Sequence, residues 1–250
     1  MLWFSLYDNS QYKSNDTAFV DLTSYQGIKN LQDNWQQVLS EFKNYSQKNE
    51  IDFHFNNMMV EKPKSWRVRS LRVWGTEIFE VQKEFPVTMQ LLNHIPNVLT
   101  IGFNILEPKS KIKPHCGDTN AIYRCHLGLQ IPINEKSCVM KVLDEEKNWS
   151  NGKLIAFEDA HLHEAWNDSD EIRIILIFDI LKPKFSKDKL KICATILASF
   201  YMQRVGNVFP KLYKVNRKIF KILLFPFVLF LRLAIPIRNF VKIDDHYFET

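Results

Sequence analysis

Apolar positions recur along the chain in three regimes. In the first, Ile28, Leu31, Trp35, Val38, Leu39 and Phe42 return at steps of mostly three and four, with Asp, Gln, Glu and Lys between them. That period predicts an amphipathic helix over 27–46. Polar sequence rich in Asn and Lys follows to Ser65, and a shorter helix is predicted over 88–94, between Pro86 and Pro96. From about Val98 the regime changes. Residues 99–106, 123–131, 138–143, 153–157 and 172–180 are short runs rich in Ile, Leu, Val and Phe, parted by turn-like stretches at 107–110, 148–152 and 167–170. Repeated short strands with polar turns predict a β-sandwich or barrel core over about 98–183. The helical period then returns over 188–204, with Leu190, Cys193, Ile196, Leu197, Phe200 and Tyr201 on one face.

Composition sharpens this picture at the C-terminal end. With 46% hydrophobic and 13% aromatic residues in 250, the chain can bury a sizeable core, which excludes a mainly disordered or collagen-like protein. The formal charge of +5 hides an asymmetry: 182–242 carries 14 Lys and Arg against the single acid Asp188, or +13, so the remainder carries −8. This basic segment is interleaved with Phe, Leu and Ile, which favours a membrane surface over nucleic acid. Lys211, Lys214, Arg217, Lys218 and Lys221 lead into 222–231, a run without a charged or polar side chain. Arg232, Pro226 and Pro236 interrupt the apolar stretch, which falls short of the ~20 residues a spanning helix needs. A membrane-lying segment or re-entrant hairpin is therefore expected; packing of the tail on the β-core is the alternative. The division implied is 1–186 for the main domain and 187–250 for a basic, apolar helical tail. The first residues lack a basic n-region and a small-residue cleavage site, so no secretory signal is expected. Four Cys without a CxxC pair predict reduced thiols. A cytoplasmic chain, peripheral to or anchored in a membrane by its C-terminal segment, is the reading that fits.

The densest chemistry lies in the strand-rich region. KPHCGDTN (113–120), RCHLGL (124–129), HLHEAW (161–166) and Arg173 bring together four of the seven histidines, at 115, 126, 161 and 163. A single histidine in a β-core is ordinarily a satisfied polar side chain. Two from opposite ends of the core, with an arginine ten residues after the second, form a different set. Imidazole nitrogens suit Fe(II), and a 2-oxoacid cosubstrate needs a buried cation for its far carboxylate. His161 is two residues from His163 and could point the same way on a strand, so it competes as a ligand. Asp118, three beyond His115, has a turn role or is an alternative ligand. Arg124 and His126 share one face of a strand, opposite Cys125. Arg173 stands between Ile172 and Ile174, a setting for an inward, buried guanidinium, with a cross-strand pair as the alternative. Trp166 is expected to pack, and Cys116 and Cys125 to face away from the chemistry.

HCGDTN (115–120), RCHLGLQIP (124–132), the WxNGK turn (149–153), FEDAHLHEAWNDS (157–169) and EIRIILIFDILKP (171–183) resemble, in order and spacing, the aspartyl/asparaginyl β-hydroxylase family. The resemblance runs from about Trp66 to Pro183. It implies an Fe(II)/2-oxoglutarate dioxygenase, mainly β with flanking helices: a double-stranded β-helix, or jelly-roll, plus the helical C-terminal tail. It also implies roles: His115 and His163 as catalytic iron ligands, and Arg173 as the partner of the distal carboxylate of 2-oxoglutarate. His126 and Arg124 fall near cosubstrate and substrate, and Asn104 stands where the family has an assisting serine. Gly117 occupies the place of the usual carboxylate ligand, as it does in this family, so two protein ligands are expected. The position of a second arginine, which reads an acidic substrate side chain in the protein hydroxylases, is Ile122 here. That departure and the basic, apolar tail together shift the expected substrate from a protein side chain toward a small or lipid-linked molecule; the family includes enzymes that hydroxylate lipid A acyl chains. The alternative is a catalytically inactive β-sandwich binding module at a membrane surface.

Overall fold

A computed structural model of the chain describes residues 1–7, 11–133, 137–209 and 217–243. Strand β11 (Arg173–Leu181) reads RIILIFDIL and is buried along nearly its whole length, the signature of a strand covered on both faces. It lies between β4 (Val98–Leu106) and β6 (Ile122–Gln130), antiparallel to both. On the far side of β4 come β2 (Trp66–Val73) and β3 (Thr76–Glu77); beyond β6 come β9 (Leu154–Phe157) and β1 (Phe19–Val20). The second sheet runs β5 (Ser110–His115), β10 (His163–Asn167), β7 (Cys138–Val142), β8 (Glu145–Asn148). From β4 to β11 the chain passes back and forth between the two sheets, which makes the double-stranded β-helix, or jelly-roll. Leu106, Phe157 and Ile175 of the large sheet meet Ile112, Met140 and Val142 of the small one in the core between them.

Alternation along the strands sorts the side chains. Ile174, Leu176, Phe178 and Ile180 of β11, with Ile101, Phe103 and Ile105 of β4, turn outward into a second core. Helices α1 (Ile28–Asp33), α2 (Trp35–Ser46), α3 (Phe79–Lys83) and α4 (Pro86–Asn93) cover that face through Ile28, Leu31, Val38, Phe42 and Leu92. The amphipathic stretch expected over 27–46 is thus helical but divided at Asn34, whose side chain donates to the carbonyl of Asn30. Besides the two-residue β1 and β3, four strands lie outside the runs that apolar pattern picks out, for physical reasons. Strand β2 carries Arg67, Arg69 and Arg72, each paired with an acid (Glu107, Asp52 and Glu77), and it extends the large sheet ahead of residue 98. Strand β8 is an exposed edge of Glu145, Glu146, Lys147 and Asn148. Strands β5 and β10 carry the polar residues of the site. The turn before β9 depends on Gly152, which has φ +71°, and a Cβ there would sit 2.5 Å from Trp35 Cδ1. Gly152→Ala should therefore cost about 2 kcal/mol or more. A shift of the urea midpoint with unchanged slope would show it; an unshifted midpoint would refute it.

Beyond β11, α5 (Lys189–Val208) buries Ile192, Cys193, Ile196 and Leu197 against Trp74, Leu99, Ile122 and Leu181. Leu190 and Tyr201, expected on the buried face, are exposed instead, because they flank the middle of the helix, where residues 192–199 are buried all round. Helix α6 (Arg217–Val241) runs continuously through Pro226 and Pro236, which replaces the re-entrant hairpin with a single helix. Its segment Ile219–Val241 is long and apolar enough to cross a membrane by length and composition. Lys211 and Lys214 of the basic run lie outside the described residues. All four cysteines are free thiols.

Candidate active site

His115 closes β5 and His163 opens β10, and the antiparallel register sets them opposite one another with ring centroids 4.2 Å apart. Each ring is oriented by its own backbone: His115 Nδ1 lies 2.8 Å from the carbonyl of Lys113, and His163 Nδ1 lies 2.8 Å from that of His161. A carbonyl only accepts, so Nδ1 carries the hydrogen and the Nε2 lone pair is left for a ligand. Burial lowers the pKa of both imidazoles, keeping them neutral. Two neutral imidazoles with a carboxylate beside them fit Fe(II). Among the described residues, no three His, Cys, Asp or Glu side chains are gathered as a complete metal cluster.

That neighbouring carboxylate is Asp159, which the sequence reading missed. It lies four residues before His163, and Oδ1 is 3.8 Å from His163 Nε2. A Cβ added to Gly117 would lie 1.9 Å from Asp159 Oδ2, and Gly117 N donates to the Asp159 carbonyl at 2.8 Å. So the space of a side chain at 117 is filled by a carboxylate arriving from another loop. Burial raises Asp159 to about 7, against the pull of Arg124. Gly117→Ala must push Asp159 aside; Mn(II) titration should show binding weakened about 10–100-fold, and parent-like binding would show that this packing is dispensable.

Arg124 holds this carboxylate in place. Its Nη1 is 2.8 Å from Asp159 Oδ1, while Nε and Nη2 grip both oxygens of Asp179 at 2.8 and 3.0 Å. Asp118 joins the same cluster, and burial raises its carboxyl to about 6. Its backbone carbonyl accepts from Ser5 N, as suits a turn. His161 turns away from the histidine pair: its Nε2 lies 3.0 Å from the carbonyl of Asp16 and its ring meets Tyr12. Trp166 is half-buried beneath Lys111 on β10, and Cys125 is buried in the core on the other face from Arg124. Ile122 is buried against α5 rather than lining the cavity.

At the other end of the same sheet face, Arg173 is only 1% exposed. Among the described residues its guanidinium has no hydrogen-bond or ion-pair partner; it lies 4.6 Å over the ring of Trp149. Desolvation lowers its pKa to about 10, which leaves it a cation at neutral pH. Nearby, Trp149 Nε1 and both His126 nitrogens are buried without a hydrogen-bond partner among the described residues. Aromatic contacts link the two ends: Trp149 to His126 at 5.9 Å, His126 to Phe157 at 5.1 Å, Phe157 to His163 at 5.3 Å. Asn104 is opposite Ile175, so it shares the Arg173 face; its Oδ1 accepts from Trp66 Nε1 at 2.6 Å, leaving the amide NH2 to donate. His54 stacks on Trp66 at 3.7 Å and is held neutral by burial, its pKa lowered to about 4; an isolated histidine in polar sequence gave no signal for it. A cavity of about 510 Å³ connects His115, Asn104 and Arg124 with the aromatic residues Phe53, Phe55 and Phe200.

The family described as aspartyl/asparaginyl beta-hydroxylase matches residues 32–183, more than half of the chain. An ornithine lipid ester-linked acyl 2-hydroxylase of Rhizobium tropici is 34% identical over 118 residues, covering 47% of this chain and 42% of that one. The aspartyl/asparaginyl beta-hydroxylase of Homo sapiens is 29% identical over 176 residues, covering 68% of this chain and 22% of that one. The chain thus spans less than half the length of either relative. A solved prolyl-4-hydroxylase of Pseudomonas putida aligns with a TM-score of 0.42 at 14% identity, covering 60% of this chain and 87% of that one. With the family match extending from the first helices through β11, the chain belongs to the aspartyl/asparaginyl β-hydroxylase family.

Proposed function

We propose that this chain is an Fe(II)- and 2-oxoglutarate-dependent hydroxylase acting on a small or lipid-linked substrate. The observation that carries the reading is Arg173: a guanidinium buried without a counter-ion among the described residues, on the large sheet that faces the small sheet carrying the two neutral, pre-oriented histidines. Burying a lone cation costs several kcal/mol, so a site that keeps one is built for an anion. In this reading His115 and His163 hold Fe(II), which supplies oxidative decarboxylation of 2-oxoglutarate coupled to C–H hydroxylation. Arg173 grips the distal carboxylate, and the Asn104 amide and His126 offer further hydrogen bonds. Asp159, fixed by Arg124, accepts hydrogen bonds beside the metal position. Buried Phe157 and Trp149 keep water from the cosubstrate.

Substrate preference follows from the cavity. The cavity wall away from the histidines carries Phe53, Phe55 and Phe200, with Arg69 and Arg204 also lining it. The Rhizobium relative, whose name assigns it a lipid acyl substrate, supports the same direction. The purified chain should release succinate from 2-oxoglutarate only with Fe(II). Lipids in an extract should gain one oxygen while peptides do not. Peptide hydroxylation alone would overturn the substrate half, and absence of iron-dependent succinate would overturn the whole.

A further inference from the structure

Helix α6 is apolar on two opposite faces. Leu224, Val228, Leu231 and Ile235, at steps of four, three and four, form the stripe buried in the cluster that α5 shares. About half a turn away around the helix, Ile222, Leu223, Phe225, Leu229, Leu233 and Phe240 are exposed, Phe240 to 88%. Only 22% of the apolar segment is buried, far too little for the core helix of a globular body. Its far end is tied to the turn between β2 and β3: Asn239 Nδ2 donates to the Gly75 carbonyl and Arg238 Nη1 to the Glu77 carbonyl, both at 2.7 Å, while Glu77 N donates to Asn239 Oδ1 at 3.1 Å.

We infer that α6 lies lengthwise in one leaflet of an anionic membrane, parallel to its surface, with the catalytic body seated above it. Length and composition alone would allow a span. Crossing would strip the buried stripe from α5 and break the three bonds at Gly75 and Glu77, because the docked helix keeps both ends against the same body. The exposed face needs an apolar occupant, and charge selects it. The surrounding segment, 182–242, carries +13, so a second copy would bring like charges together. Anionic headgroups are complementary instead, each Lys or Arg near them strengthening binding about fivefold. Placement of the cavity follows. Tyr201 lines the cavity and meets Phe227 of α6 edge-on at 5.5 Å, and beside it Phe55 touches Phe200. The aromatic mouth therefore stands next to the embedded helix, where a lipid acyl chain could enter directly from the leaflet; this last step rests on the hydroxylase reading.

The full chain should sediment with vesicles of equimolar phosphatidylcholine and phosphatidylglycerol. Leu229→Glu combined with Leu233→Glu should reduce partitioning at least tenfold per substitution, with iron-dependent decarboxylation of 2-oxoglutarate unchanged. Ile133→Glu, exposed elsewhere, should leave binding intact. Depth separates lying from spanning: in Ile222→Trp, Leu229→Trp and Phe240→Trp, brominated lipids should quench the added fluorescence at one common depth. A central residue deeper than both ends would mean a span and overturn the inference. So would a parent chain that stays in solution at low salt, or a double variant whose effect is to split a dimer. Vesicle binding at uniform depth without oxygen gain in any lipid would leave the docking intact and overturn only the acyl-chain entry.

Discussion

His115→Ala and His163→Ala should each abolish iron-dependent turnover, while Asp118→Ala keeps most of it. The two imidazoles are interchangeable in this respect: each is neutral, and each is fixed through Nδ1 by a backbone carbonyl. His161 cannot substitute, because its ring is engaged with Tyr12 and Asp16. Asp118 belongs to the cluster around Arg124, where burial disfavours its charge. Fe(II) titration of the three variants, read beside succinate release, decides the matter; full loss in Asp118→Ala would make it a ligand. The same residue predicts a pH effect. Its folded pKa of about 6 exceeds the ordinary 3.8, so the folded state binds this proton more tightly. The resulting stabilisation is complete below pH ~4 and lost as pH rises through 6. Asp118→Asn should therefore raise Tm relative to the parent at pH 8 more than at pH 4.5, and an equal change at both would contradict the assignment.

How far the sequence discloses this site depends on how each residue reaches it. Period-two spacing puts Arg124 and His126 on one face and Cys125 on the other, as the strand shows. Asp159 was not legible, because its role comes from a loop crossing Gly117, and only the glycine hints at a close approach. Strands β5, β8 and β10 escaped for a related reason: they carry charged or site residues where an apolar pattern was sought. Helix α5 was readable as a helix, but its middle, residues 192–199, is buried all round, so position along the helix rather than a polar face decides that Leu190 and Tyr201 meet solvent. In α6 the two prolines suggested a break; within the docked helix their missing hydrogen bonds are outweighed by the apolar stripe packed on α5.

Arg173 gives the sharpest separation between a cosubstrate site and ordinary sheet packing. Arg173→Lys keeps the charge but loses the planar fork and its place over Trp149, so affinity for 2-oxoglutarate should fall on the order of 10–100-fold. Arg173→Met removes the charge altogether. For a cross-strand ion pair that change would strand a carboxylate and destabilise the fold by several kcal/mol. Here no carboxylate faces the guanidinium among the described residues, so removing it relieves an uncompensated desolvation cost. The Met variant should therefore melt at or above the parent temperature without 2-oxoglutarate. Added 2-oxoglutarate should raise the parent Tm by mass action and leave the Met variant unmoved. Thermal denaturation of parent, Lys and Met chains across a 2-oxoglutarate series tests both halves. A Lys variant that binds as tightly as the parent would put the distal carboxylate elsewhere. A Met variant that melts well below the parent would mean that Arg173 holds the sheet together, and the anion site would have to be sought at His126 and Trp149 alone.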